Sequence, residues 1–131
     1  MNYKKFEVAS GNYKKAQNFT VNNVRKVVLL YDSCINHIKK AKDAIENNNI
    51  EDRYNHIEKA IAIINGLQSC LDFNQAKPIS NILDKFYDSI YFKLISLHSE
   101  PNLSVCELVV DNLKTMIESW HEIDIAAKTS S

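Results

Sequence analysis

Glycine and proline are scarce, with two of each in 131 residues. A doubly wound sheet uses glycine for tight turns and close backbone approaches, and a β-sandwich uses it still more. The shortage therefore points to long helices joined by few connections, and it leaves no glycine-rich run to cradle a phosphate. Net charge is missing too. Sixteen Lys and Arg balance sixteen Asp and Glu, so no basic excess provides the electrostatic footprint of a nucleic-acid binder. No apolar run reaches the roughly 18 residues a membrane-spanning helix needs. The polar start Met1-Asn2-Tyr3-Lys4-Lys5 leads into no apolar signal core. Cys34, Cys70 and Cys106 are odd in number and none belongs to a CxxC pair. Free thiols in a reducing cytoplasm fit that pattern better than a disulfide framework.

What is present is helical periodicity. The hydrophobic fraction of 45% supports the core of one compact domain. Residues 1–19 are polar with scattered aromatics, including Tyr13, and read as a flexible N-terminal arm. Residues 20–131 form the helical domain. Its first helix is expected over about 22–47, with Thr20 as a nearby N-cap. Val24, Val27, Val28, Tyr31, Ile35, Ile38 and Ile45 recur at three- and four-residue steps. Leu29, Leu30 and Cys34 widen that face, as a central, multiply contacted helix requires. Asn47-Asn48-Asn49 ends it. A second helix is expected over 51–72, on Tyr54, Ile57, Ile61, Ile64, Leu67 and Leu71. The third, over 78–98, opens at Pro78 and carries an inward stripe of Ile79, Leu83, Phe86, Ile90 and Leu97. The fourth, over 104–121, follows Pro101 with Leu108, Val109, Leu113, Met116, Ile117 and Trp120 inward. Residues 124–131 read as a tail or a last helical turn. Short connections between long helices force antiparallel neighbours, so the expected fold is an all-α, up-down four-helix bundle.

Catalytic or metal chemistry finds little support. Cys34 and His37 share a face, but a metal site wants three or four converging ligands and no further His or Cys stands at matching spacing. Cys106 lies near a helix start, where the dipole could activate it, yet no sequence-local His orients it, and it reads as packing. His37-Ile38-Lys39-Lys40 has the H-x-x-K spacing of histidine phosphotransfer domains. That alternative needs a solvent-exposed His37 with Lys40 beside it, and here Ala41 follows Lys40 where that family usually has Gly. On the third helix, Tyr87, Tyr91 and Ile95 form a second apolar ridge beside the inward stripe. They either pack in the core or line a partner groove.

The order of several motifs is more specific. Val28-Leu29-Leu30-Tyr31-Asp32, Lys40-Ala41-Lys42-Asp43-Ala44-Ile45-Glu46 and Lys59-Ala60-Ile61-Ala62-Ile63-Ile64 are followed by Leu67-Gln68-Ser69-Cys70-Leu71-Asp72. Ile79-Ser80-Asn81-Ile82-Leu83, Phe86-Tyr87-Asp88 and Ser119-Trp120-His121-Glu122-Ile123 complete the series. In this order the chain resembles the flagellin-specific export chaperones, the FliS family, over about residues 13–123. It departs from that family's Ser-Pro-Glu start at Val21-Asn22-Asn23 and from its Gly-Gly pair at Ala76-Lys77-Pro78. The resemblance implies a cytoplasmic chaperone, without cofactor or metal, that binds the disordered C-terminal segment of flagellin. Such a protein prevents premature polymerisation and assists delivery to the flagellar export apparatus. Other family partners would include an anti-sigma factor or a co-chaperone. Tyr13 matches a tyrosine in an arm that covers part of the family's binding surface; Tyr87, Tyr91 and Ile95, one ridge by their four-residue spacing, are the partner-binding residues expected beside it.

Overall fold

In the computed structural model, which describes residues 24–72 and 77–130, α1 spans Val24–Glu46, α2 Ile50–Ser69, α3 Lys77–Ser99 and α4 Leu103–Ser130. The N-terminal arm of residues 1–19, Tyr13 within it and the N-cap Thr20 lie outside the described residues.

The three asparagines after α1 make its turn into α2. Asn48 sits in the left-handed region at φ 56, which Asn tolerates better than most side chains. Its N–H donates to the carbonyl of Ile45 (3.2 Å), and the N–H of Asn49 donates to that of Ala44 (2.8 Å), so two end carbonyls of α1 are satisfied. Asn49 then opens α2. Its Oδ1 accepts from the N–H of Asp52 at 3.1 Å, and its Nδ2 donates to Asp52 Oδ2 at 3.0 Å. At the other connections, the buried Ser80 hydroxyl donates to the Asp72 carbonyl (2.9 Å). Asn102 caps α4 by accepting from the Val105 N–H (3.2 Å).

Cross-helix contacts fix the directions. Arg53, early in α2, donates to the carbonyl of His98, late in α3 (3.4 Å). Gln68, late in α2, donates to Asp84 and Asp88, early in α3 (2.9 and 2.7 Å). Lys42, late in α1, pairs with Glu107, early in α4, at 2.9 Å. Neighbours therefore run antiparallel around a ring α1-α2-α3-α4, a four-helix bundle. The α1–α2 contact is the most extensive and the α3–α4 contact the thinnest of the four. Cys34, Ala41 and Ala44 on α1 and Ala60 on α2 are buried small residues that let those two backbones approach. The Cys34 thiol reaches the Ala60 carbonyl at 3.7 Å, and burial pushes its pKa up to about 12. Tyr31, Ile38, Ile57, Ile64, Ile90, Leu94, Leu97, Val109 and Leu113 fill the centre.

Three expectations change. The fourth helix runs on through the supposed tail to Ser130, because residues 121–130 contain neither Gly nor Pro to stop it. Leu29 and Leu30 are exposed, so the buried face of α1 is narrower than its apolar face. Ile79 and Leu108, expected inward, are exposed, and Leu94 takes its place in the core stripe of α3. Burial of Trp120 follows the sequence reading, with 2% of its surface exposed. Trp120→Ala should accordingly cost about 3–5 kcal/mol, read as a fall in the urea midpoint; an unchanged midpoint would contradict the packing.

Candidate functional site: an apolar cleft between α3 and α4

Between α3 and α4, the neighbours in thinnest contact, a cleft of about 220 Å³ opens at the start of α3 and the second half of α4. Ile79, Ile82 and Leu83 line one wall; Met116, Ser119, Trp120 and Ile123 line the other. Both sets follow i, i+3, i+4 spacing, so each wall is a ridge of one helix. Ser119 alone among the seven is polar. Ile79 and Ile82 remain exposed at 44% and 64%, and Ile125 is exposed further along α4. A groove between two apolar ridges is the shape that receives an amphipathic helix.

Beside Trp120 of the cleft, an aromatic cluster packs in the core. Tyr31 on α1 and Tyr87 on α3 share a hydrogen bond between their hydroxyls at 2.8 Å, with almost no exposed surface on either residue. Their rings meet edge to face at 6.3 Å, and Phe86 stacks on Tyr31 at 6.5 Å. Burial pushes the Tyr31 phenol up to about 12, while hydrogen bonding from Tyr87 and Trp120 pulls the other way. Burial also drives the Tyr87 phenol upward, joined by its proximity to Tyr31. Both stay neutral in any physiological buffer.

The expected ridge of Tyr87, Tyr91 and Ile95 is divided by this geometry. Tyr87 is a core residue; Tyr91 is half-buried and edge-on to Phe92 at 5.5 Å; Ile95 is exposed. A step of four residues overshoots one helical turn by about 40°. Two such steps therefore carry the ridge from the core at Tyr87 to the surface at Ile95. Ile95 lies seven residues beyond Asp88, which faces Gln68, so it sits on the α2 flank of α3. Ile79 and Ile82 sit on the α4 flank. The exposed residues Ile79, Ile82, Phe92 and Ile95 thus cross the outer face of α3 obliquely. The cleft residues Ile82, Met116, Ser119 and Ile123 were not read as a site from sequence. The available signal was the surplus of apolar side chains at 79, 82, 83 and 86, more than one buried stripe can absorb.

His37 is not an isolated exposed imidazole. It is half-buried, and its Nδ1 lies 3.1 Å from Nδ1 of His56 on α2. Burial lowers its pKa, helped by the neighbouring His56, Lys59 and Lys40. Cys106 is buried, and that burial pushes its thiol up despite the helix start and Lys42 nearby. Among the described residues no group of three or more His, Cys, Asp and Glu converges to hold a metal, and no helix is long and apolar enough to cross a membrane.

The family model described as flagellar protein FliS matches residues 7–127. A flagellar secretion chaperone FliSB of Pseudomonas aeruginosa is 27% identical over 109 residues, covering 83% of this chain and 86% of its own length. Flagellar secretion chaperones FliS of Campylobacter jejuni and Vibrio cholerae are 26% and 24% identical over 97 residues. Each covers 74% of this chain, with 76% and 71% of their own lengths matched.

The division of the α3 ridge has a direct check in urea unfolding. Tyr87→Ala should cost about 3–5 kcal/mol as a buried aromatic. Tyr87→Phe should cost about 1–3 kcal/mol, because it breaks the buried hydroxyl pair with Tyr31. Tyr91→Ala should cost less than Tyr87→Ala; the reverse order would return Tyr87 to the surface.

Proposed function

The chain belongs to the flagellar protein FliS family, and from that premise we propose that it is a cytoplasmic export chaperone for flagellin. In this reading it binds the disordered C-terminal segment of flagellin, blocks premature polymerisation and hands the subunit to the flagellar export apparatus. The names of its relatives, flagellar secretion chaperones, support the role. The observation that carries the binding reading is the apolar cleft of Ile79, Ile82, Met116 and Ile123, continued by exposed Phe92 and Ile95.

The physics of the exchange is favourable. A disordered segment with apolar residues at helical spacing gains by burying them, and the bundle presents rigid ridges that lose little entropy on contact. With a formal net charge of zero, the surface must select by shape and apolar contact rather than bulk electrostatics. One turn of the segment would enter the α3–α4 cleft. Its continuation would pass over Phe92 to Tyr91 and Ile95 on the α2 flank. The arm carrying Tyr13 would cover part of this surface in the free chaperone. An anti-sigma factor or a co-chaperone would be a further partner. Binding and release need no catalytic group, cofactor or metal, and histidine phosphotransfer through His37 is disfavoured by its half-buried pairing with His56.

A labelled peptide of flagellin's C-terminal segment, followed by fluorescence anisotropy, tests the surface. Ile82→Asp replaces an exposed side chain and should leave helicity intact while weakening binding at least tenfold, which is about 1.4 kcal/mol. Tyr91→Ala should cost binding about 1–3 kcal/mol. Wild-type affinity in both folded variants would move the site away from α3.

A further inference from the structure

On the side of the ring opposite the cleft, His37 of α1 and His56 of α2 meet with their Nδ1 atoms 3.1 Å apart, ring centroids 5.3 Å apart and planes 29° apart. We propose that this pair is a two-imidazole site for a divalent transition-metal ion of the Zn²⁺, Ni²⁺ and Cu²⁺ type, which clasps α1 to α2.

The distance carries the argument. Imidazole nitrogens bond such ions at about 2.0–2.1 Å, so two of them at angles of about 90–109° on one ion stand roughly 2.9–3.4 Å apart. The observed 3.1 Å falls inside that range without moving either helix. The scaffold under the pair is stiff. Cys34 and Ala41, which flank His37 by one turn on α1, and Ala60, one turn beyond His56 on α2, are all fully buried. In the metal-free chain the two nitrogens share one proton, donated by one ring and accepted by the other. The ion takes the place of that proton, which moves to Nε2 of the donor ring, so both rings become Nε2–H tautomers and no net proton is released. Protein supplies two ligands, fewer than the three or four of a structural or catalytic zinc site; water completes the shell. A hollow of about 390 Å³ beside His56, lined also by Lys40, Asp43, Asn47, Asn49 and Asp52, leaves room for it. The nearby cations Lys40 and Lys59 disfavour a proton on His37 and equally oppose a metal ion, so the clasp is a modest one. Imidazole selects borderline ions over Mg²⁺ or Ca²⁺, which prefer oxygen.

The test uses the full chain with Cys70→Ser, because Cys70 is an exposed thiol that would itself take zinc. Zn²⁺ titrated at pH 7.5 should bind one ion per chain calorimetrically and raise Tm in proportion to the logarithm of free Zn²⁺. His37→Gln and His56→Gln should each weaken binding at least tenfold, whereas His121→Gln, on exposed α4 surface, should not. Ring ¹⁵N spectra of the folded parent give a readout independent of the variants: the Nδ1 resonances of His37 and His56 should move with zinc, and those of His98 and His121 should not. No saturable binding, binding that survives both substitutions, or resonance shifts confined to other histidines would each overturn the proposal.

Discussion

Neither the Tyr31 nor the Tyr87 hydroxyl reaches water, so each must find its polar partner inside the protein. They find one another at 2.8 Å, across two helices that are not ring neighbours. A hydrophobic contact tolerates sliding; a hydroxyl pair of this length does not. That bond therefore sets the axial register between α1 and α3, and Phe86 and Trp120 pack around the same point. The end of the bundle that holds the cleft inherits its geometry from there. With Tyr87 drawn inward, Ile79 and Ile82 are left on the rim, too far round α3 to be covered by α4.

The helices and their order were legible because their punctuation is chemical. Asn47-Asn48-Asn49, Pro78 and Pro101-Asn102 each do at the helix ends what their side chains favour. Trp120 and the free buried thiols Cys34 and Cys106 also followed from residue type. What sequence could not show is angle. Tyr87, Tyr91 and Ile95 look equivalent on a spacing argument, yet their accumulated rotation of about 80° spans the distance from core to solvent. Nor does spacing tell a wide buried face from a narrow one with apolar residues left over, which is why Leu29, Leu30, Ile79 and Leu108 look buried by spacing and are exposed in the fold. The pairing of His37 with His56 joins residues nineteen apart, and only the close α1–α2 packing brings them together.

The two sides of the bundle differ in how they spend their residues. Between α1 and α2, small side chains permit near approach and a specific polar contact at the surface. Between α3 and α4, large aliphatic side chains keep the helices apart and leave apolar surface uncovered. Packing is most extensive on the first side, which lets the second carry incomplete packing.

The oblique run of Ile79, Ile82, Phe92 and Ile95 over α3 bears on how a bound chain would be taken off. A segment seated along it as proposed would touch the bundle in separate places, first at the cleft and then beyond the helix's outer face. Pulling from one end would load those places one after another, as in peeling tape, rather than all at once as in lifting a plate. Each detachment faces only a local barrier, and the freed stretch can be drawn away before the next one lets go. Under the proposed binding, a surface of this shape would hold a resting segment at several points yet offer low resistance to a directed pull.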